Sequence, residues 1–564
     1  MRIELFIFLT LALAGAGPSP AARDALSHLQ ASRASLGLAE GTDFIVEDEV
    51  KDDLGMIHVR LQQTWKGLPV WGGQAIVHRG AGGSGAPLTD ALVRGADLET
   101  TPNLGEPEAL AAALDRLGIH KGFSTPPTAR LVLWPEMDAR PPDGVDGADP
   151  RAEPQVVRHH LAWHVHVEAA DEAGSPIRQD ALVDAHTGAV LRTWSTLFTL
   201  SPRDFIRKIL LTPPADLRAT GDPAEGRGRS QYSGPVRLGV LDAGGTFLLQ
   251  DPTRGGIATR NLGGGWLGFG SAIASQHPAW GDGLDYDASR GPDSVNGQTA
   301  AVDAHFGLQA AWDFCRDVLG RNGIDGKGRA PLNLVHFGRG FPNAFWDGTC
   351  YCMHYGDGPG GRPLTSLEVV GHELGHGICA STAGLVYEGE SGGLNEANSD
   401  ILGVLIRAYA RAGAQGKTLP DGEIDWTLAG EALGHPVRWM DKPSRDGFSP
   451  DAWSPWIRTL NPHRSSGPMN RAFYFLAQGA SARRGDDAWS PRIPQGMKGI
   501  GNTKALRIWW RTLTTRLTPR SGYREARDGA LASARELYGK DSPEFKAVDL
   551  AFRGVNVGRH RKGQ

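Results

Sequence analysis

Residues Gly371–Asp400 read GHELGHGICASTAGLVYEGESGGLNEANSD, with two histidines four apart, a glutamate between them and further carboxylates beyond. His372 and His376 lie four apart, so on a helix both imidazoles leave one face and can share one tetrahedral ion. Glu373 lies beside them, and the segment "SLEVV" ahead of the motif gives an apolar, helix-compatible approach. Twenty residues after His376, Glu396 opens a second helix-like run. Two imidazoles and a carboxylate make three protein ligands and leave a fourth position open, the arrangement of a catalytic zinc rather than a structural one. Asp400, one turn beyond Glu396, and Asn395 are expected to brace the ligating imidazoles from behind. The chemistry this suits is amide hydrolysis: zinc acidifies water and polarises a carbonyl, while Glu373 takes the proton and passes it to the leaving amine.

The rest of the chain limits what such a site can serve. With 564 residues, 40% hydrophobic and 22% charged, it should fold as several globular domains. A formal net charge of −4 and a pI near 6.5 show no basic excess, which argues against nucleic acid or an anionic membrane as partner. The opening "MRIELFIFLTLALAGAGPSPAA" has Arg2, an apolar run from Leu5 to Ala14 and small residues around Ala16, the pattern of a secretory signal peptide. It is expected to cover residues 1–16, cut between 16 and 22, and the run is shorter than the roughly 20 residues a membrane span needs. Export permits disulfides, and the four cysteines, Cys315, Cys350, Cys352 and Cys379, allow three pairings. A Cys350–Cys352 bond would close a very tight loop. The spacing is not the two-by-two pattern of a zinc ribbon, so disulfides or buried thiols are expected rather than a cysteine zinc site.

Residues 23–200 alternate short apolar runs with Gly and Pro breaks and should be mostly strands, with one helix-like segment from Gly105 to Gly118. His164 and His166 share a strand face there and read as polar strand positions rather than a metal pair. The stretch 201–218 and its continuation "TGDPAEGRGRS" are rich in Pro, Gly and charge, marking a boundary near Ala219. Beyond it strand-like runs give way to long Ala- and Leu-rich helical segments. The division expected is a β-rich lobe, 219–385, followed by a helical lobe, 386–564, an α+β arrangement with the zinc-binding helix in the cleft.

Other segments carry a resemblance. "PNAFWDGTCYCMHYGDG", "VRWMDKP" and "NPHRSSGPMNRAFYFL", with "DPTRGG", "TAAVDAHFGLQAAWDF" and "GIGNTKALRIWWRTLTTRLTP", resemble the thermolysin family of zinc metallopeptidases from Ala219 to Gly558. "QQTWKGLPVWGGQAIVH" and "ALVDAHTGAVL" resemble the fungalysin/thermolysin-type propeptide and the PepSY module after it. The resemblance implies a secreted, monomeric neutral endopeptidase made as a zymogen, acting on proteins and peptides and inhibited by its own propeptide. It implies zinc on His372, His376 and Glu396, with Glu373 as general base. Tyr387 and His463 would hydrogen-bond the developing oxyanion. Asn343 and Ala344 would hold the substrate as an added strand, and Arg438 would grip a carbonyl. Val369, Leu428 and Val437 would line the pocket after the scissile bond and favour bulky apolar residues there.

Three positions depart from the family pattern. Gly375 stands where Thr is usual, at a helix-interior cost of about 1 kcal/mol against Ala. The family's paired calcium site draws on carboxylates; this chain has Glu368, Asp425 and Glu431 but Arg407 and Thr427 where acids are expected. Calcium is therefore expected to be reduced to a single ion or replaced by a salt bridge, since Ca²⁺ wants six to eight oxygens. No acid precedes His463 in Trp456–Pro462, so Asn461 or a distant carboxylate must orient it.

Overall fold

The computed structural model of the chain describes residues 18–80, 85–123, 125–137, 156–170, 176–196, 198–199, 218–266, 268–414, 416–422 and 424–558. The expected leader at 1–16 and all but Arg218 of the expected processing segment lie outside them. The chain forms two compact units, Met1–Leu98 and Glu99–Gln564.

In the first unit α1 (Pro20–Ser32) starts at Ser19, whose hydroxyl accepts from the Ala22 amide. It is followed by an antiparallel meander of β1 (Thr42–Lys51), β2 (Ile57–Trp65), β3 (Leu68–Arg79) and β4 (Gly85–Asp90). The two residues between β2 and β3, Lys66 and Gly67, both have positive φ (47° and 81°), the requirement of a tight hairpin that keeps the strand twist. Ala25 and Leu29 of α1 close the core against Phe44, Val59, Leu61 and Ala75.

The second unit begins with α2 (Glu106–Leu117), stopped by the left-handed Gly118, and an antiparallel sheet of β5 (Thr128–Met137), β6 (Val156–Ala170), β7 (Pro176–Asp184) and β8 (Val190–Ser195). Ala109 and Ala113 let α2 lie close on Val165, Val167, Ala181 and Val183. His164 and His166 both bond Asp180, at 2.7 and 2.5 Å, and so serve as polar strand positions.

Next come β9 (Phe198–Thr199), the hairpin of β10 (Asp222–Ser230) and β11 (Gly234–Asp242), and a mixed sheet. That sheet contains β12 (Ile257–Asn261), β13 (Leu332–Val335), β14 (Ala344–Asp347) and β15 (Cys352–Tyr355). Its order is the short strand Gln250–Asp251, then β12, β13, β15, β14 and, at the edge, β9. A buried helix, α3 (Gln298–Asp317), packs into the core beneath.

The remainder is mainly helical, broken by two short two-stranded ladders and a one-turn helix at Gly430–Leu433; its other α-helices are α4 (Leu367–Ala380), α5 (Gly389–Arg411), α6 (Pro462–Ser465), α7 (Gly467–Gln478), α8 (Asn502–Thr515), α9 (Tyr523–Tyr538) and α10 (Pro543–Gly554). One apolar core runs through α3, α4 and α5 into α7–α10. The α+β order of strands first and helices after is the one expected from the sequence. Glycine sets the spacing of the central pair of helices. A Cβ on Gly375 would lie 2.6 Å from Ser399 Cα, and one on Gly403 would lie 2.4 Å from the Glu368 carbonyl oxygen. The helix-interior glycine that costs propensity thus allows α4 and α5 to approach backbone to backbone.

Candidate metal centre

Every residue of α4 from Leu367 to Cys379 is buried, so its polar face turns inward. The helical spacing brings His372 and His376 together, and α5 adds Glu396 from the facing side. The Nε2 atoms of the two histidines are 3.2 Å apart. Glu396 Oε2 is 3.7 Å from His372 Nε2, and its Oε1 is 3.4 Å from His376 Nε2.

The outer nitrogens fix the tautomers. His372 Nδ1 lies 2.9 Å from Asp400 Oδ1, and His376 Nδ1 lies 2.8 Å from Asn395 Oδ1. The Asn395 amide is oriented by its own N–H₂ donating to the Leu385 carbonyl at 2.9 Å, so its oxygen must accept. Both imidazoles therefore donate from Nδ1 and turn Nε2 toward each other and toward a carboxylate. Such an array is repulsive unless a cation sits at its centre. Three borderline N and O donors with braced imidazoles fit zinc with one position left for water or substrate.

Asp400 is itself held by the Arg438 fork, Nε to Oδ2 at 2.8 Å and Nη2 to Oδ1 at 2.6 Å, and by Asn470 at 2.7 Å. Buried as it is, it would resist ionisation, but Arg438 and His372 hold it well below the usual carboxylate range. Burial also pulls the His376 imidazole down to about 3, so it is present as the neutral ligand. Glu373 behaves oppositely. Burial and the Glu396 charge push its carboxyl well above the usual range, against the pull of the Trp346 backbone amide and Arg438. Neither of its oxygens makes a hydrogen bond of normal geometry among the described residues. An acid so placed is poised to exchange a proton.

Tyr387 and His463 come to the same side. The Tyr387 hydroxyl donates to Glu396 Oε1 and lies 3.3 Å from His463 Nε2. His463 Nδ1 is 2.7 Å from Asn461 Oδ1, so the asparagine two residues upstream takes the place of the missing acid. Asn343 and Ala344 lead into β14, whose free edge is taken by β9: Phe345 pairs with Thr199 and Trp346 with Phe198. Val369 and Leu428 are fully buried and Val437 partly so. Leu428 sits opposite Arg438 in a short two-stranded ladder.

At the expected calcium position Arg407 lies between the acids, 3.4 Å from Glu368 and 3.2 Å from Asp425, and donates to the carbonyls of Asp425 and Thr427. Glu431 pairs instead with Arg411. Sequence reading missed Asn470, which only the packing of α7 on α5 brings to Asp400. It also missed Arg178, which reaches Asp347 across 169 residues of chain. No helix among the described residues is long and apolar enough to cross a membrane.

A braced pair of imidazoles and a carboxylate, with a buried glutamate and two hydrogen-bonding groups beside them, define a zinc-dependent metallopeptidase. Comparison with known proteins agrees. The family described as "Thermolysin metallopeptidase, catalytic domain" matches residues 225–380, its "alpha-helical domain" matches 383–557, and the "Fungalysin/Thermolysin Propeptide Motif" matches 42–85. Thermolysin of Alicyclobacillus acidocaldarius subsp. acidocaldarius is 31% identical over 90% of this chain and 84% of its own length. The Transglutaminase-activating metalloprotease of Streptomyces mobaraensis is 34% identical over 95% of this chain, which spans 64% of that relative's length. Among solved structures, the precursor of protealysin from Serratia proteamaculans aligns at a TM-score of 0.42 with 24% identity, over 54% of this chain and 87% of that one. The chain belongs to the thermolysin family of zinc metallopeptidases.

Proposed function

We propose that the chain is the precursor of a secreted zinc endopeptidase. The observation that carries the reading is Glu373, a buried carboxyl with raised proton affinity beside an imidazole–imidazole–carboxylate set. When bound to His372, His376 and Glu396, zinc supplies Lewis acidity, polarising a carbonyl and acidifying water at neutral pH. Glu373 takes the proton of the attacking water and delivers it to the departing amine. Tyr387, and His463 through Nε2 when its ring carries both protons, donate hydrogen bonds to the oxygen that gains charge, where preorganised donors are worth most. Arg438 fixes Asp400 and hence His372, and it would also grip a substrate carbonyl. The substrate lies along β14 as an added strand, held by Asn343 and the backbone of Ala344. Val369, Leu428 and Val437 line the pocket beyond the scissile bond and favour bulky apolar side chains, with discrimination of about 1–3 kcal/mol per methylene.

In the precursor β9 lies on the edge of β14 that substrate would need. That pairing supports a propeptide, 23–200, that inhibits its own enzyme until the chain is cut within 201–218, after removal of the leader at 1–16. The motif at 42–85 forms its first part, and α2 with β5–β8 is a PepSY-like second part. Arg407 replaces an ion at the calcium position, and the enzyme works as a monomer. The test is hydrolysis of casein and a blocked peptide by the processed protein before and after chelation. Activity should vanish with the chelated ion and return with zinc alone; full activity in metal-free protein would contradict the reading.

A further inference from the structure

Away from the catalytic centre, at the turn joining β14 to β15, four more ligand-type side chains converge: Asp347, Cys350, Cys352 and His354. All four are buried, and one donor atom from each lies within 4.8 Å of the others. His354 Nε2 is 3.4 Å from Cys352 Sγ, 3.8 Å from Cys350 Sγ and 3.8 Å from Asp347 Oδ2. A tetrahedral zinc with sulfur at about 2.3 Å and nitrogen or oxygen at about 2.0–2.1 Å spaces its ligand atoms about 3.3–3.8 Å apart. The imidazole is therefore already at ligand spacing from the other three. The two sulfurs are joined as a disulfide, with Cα atoms 5.3 Å apart.

We propose that Asp347, Cys350, Cys352 and His354 form a second metal site, which takes a zinc-class dication when the cysteines are thiols and gives it up when they close as a disulfide. Two thiolates with an imidazole select a borderline-soft ion over calcium or magnesium. Charge balance supports the same assignment. Two thiolates and a carboxylate would be a forbidding buried load, which a dication and the Arg178 guanidinium, 2.5 Å from Asp347 Oδ1 and shared with Glu168 at 3.1 Å, largely offset. Asp347 Oδ1 also accepts from the Thr349 amide at 2.9 Å, which turns Oδ2 toward His354. The aromatic face of Phe345 stacks on His354 with centroids 4.5 Å apart and holds the ring in place.

The interconversion balances. Exchange with an external dithiol passes two electrons to the Cys350–Cys352 bond, yielding two protein thiols and the reductant's own disulfide. Metal binding then displaces two protons. Because Asp347 ends the strand along which β9 lies and receives Arg178, the occupied site would pin the hairpin on which the propeptide rests.

The test uses the full-length His372→Ala/His376→Ala chain, in which the catalytic centre is silenced, oxidised or reduced anaerobically and then titrated with Co²⁺ and Zn²⁺. The reduced chain should take up about one ion with thiolate-to-cobalt charge-transfer absorption, and the oxidised chain none. Uptake should be lost in an added Cys350→Ser/Cys352→Ser pair, which keeps the buried thiols of Cys315 and Cys379, and weakened at least about tenfold by His354→Gln. Equal uptake in both redox states, uptake that survives the serine pair, or no uptake by reduced chain would overturn the proposal. Loss of fold on reduction that zinc does not restore would overturn it as well.

Discussion

Two histidines whose Nε2 atoms face each other at 3.2 Å are held there by partners that accept from Nδ1, and the remaining residues around them follow the same logic of one group fixing another. Asn461 fixes His463. Asn461→Leu should lower kcat about tenfold or more while KM stays within about twofold, whereas Asn461→Asp, which still accepts from Nδ1, should retain most activity. Equal losses in both would show that the hydrogen bond is not what matters. Arg407 is a second case, where a guanidinium 2% exposed compensates the buried Glu368. Glu368 is driven toward its neutral form by burial and pulled back by Arg407. Arg407→Ala should cost about 3–5 kcal/mol, and adding Ca²⁺ to ion-depleted wild-type protein should leave its melting temperature unchanged; a large rise would mean that calcium still binds. At this scale the sequence was most legible where geometry is local. The i, i+4 intervals His372–His376 and Glu396–Asp400 follow from helical spacing, whereas the meeting of the two pairs needs α4 to pack on α5; the absence of an acid before His463 pointed to Asn461. Asn470 could not be read, because it meets Asp400 from 70 residues away. The Cys350, Cys352 and His354 alternation was local, yet its two-residue spacing differs from the usual zinc pattern and drew attention to disulfides instead.

Helices α4 and α5 show why an unfavourable residue can be required. From sequence alone Gly375 looks like a cost of about 1 kcal/mol, and nothing local reveals that Ser399 lies where its Cβ would go. Gly375→Ala should therefore destabilise the protein by about 1–3 kcal/mol through overpacking, despite its better helix propensity, and should raise the metal dissociation constant because both helices carry ligands. Greater stability in the variant, by thermal or denaturant unfolding, would refute the close-packing account. The strand β14 makes the complementary case. Its expected role as a substrate edge rested on resemblance, whereas the pairing with β9 and the Arg178–Asp347 contact come from tertiary packing. Arg178→Met should loosen the precursor and raise the activity of uncleaved chain several-fold toward that of processed enzyme; unchanged inhibition would argue against this contact as part of the restraint.

Across the molecule, the order of a β-rich lobe and a helical lobe was readable because period-two and period-3.6 patterns occupy separate stretches of chain. How α3 joins them was not. Asp303 on α3 is buried against the Ser230 hydroxyl and the Gln231 amide of the β10–β11 hairpin, and burial raises its carboxyl from 3.8 to about 7. A folded-state value above the unfolded one means the native state holds the extra proton. This contribution to stability is complete below about pH 4 and is lost as pH rises through about 7. Asp303→Asn should flatten the fall in melting temperature between pH 5 and 8, and parallel slopes in wild type and variant would contradict the assignment. Whether Glu373 moves the proton in a zinc endopeptidase is decided by zinc content and peptide hydrolysis measured together on processed wild-type and Glu373→Gln protein. About one ion is expected at the His372–His376–Glu396 site in each, with turnover lower by about 10²–10⁴-fold in the variant; wild-type turnover in Glu373→Gln would show that another group moves the proton.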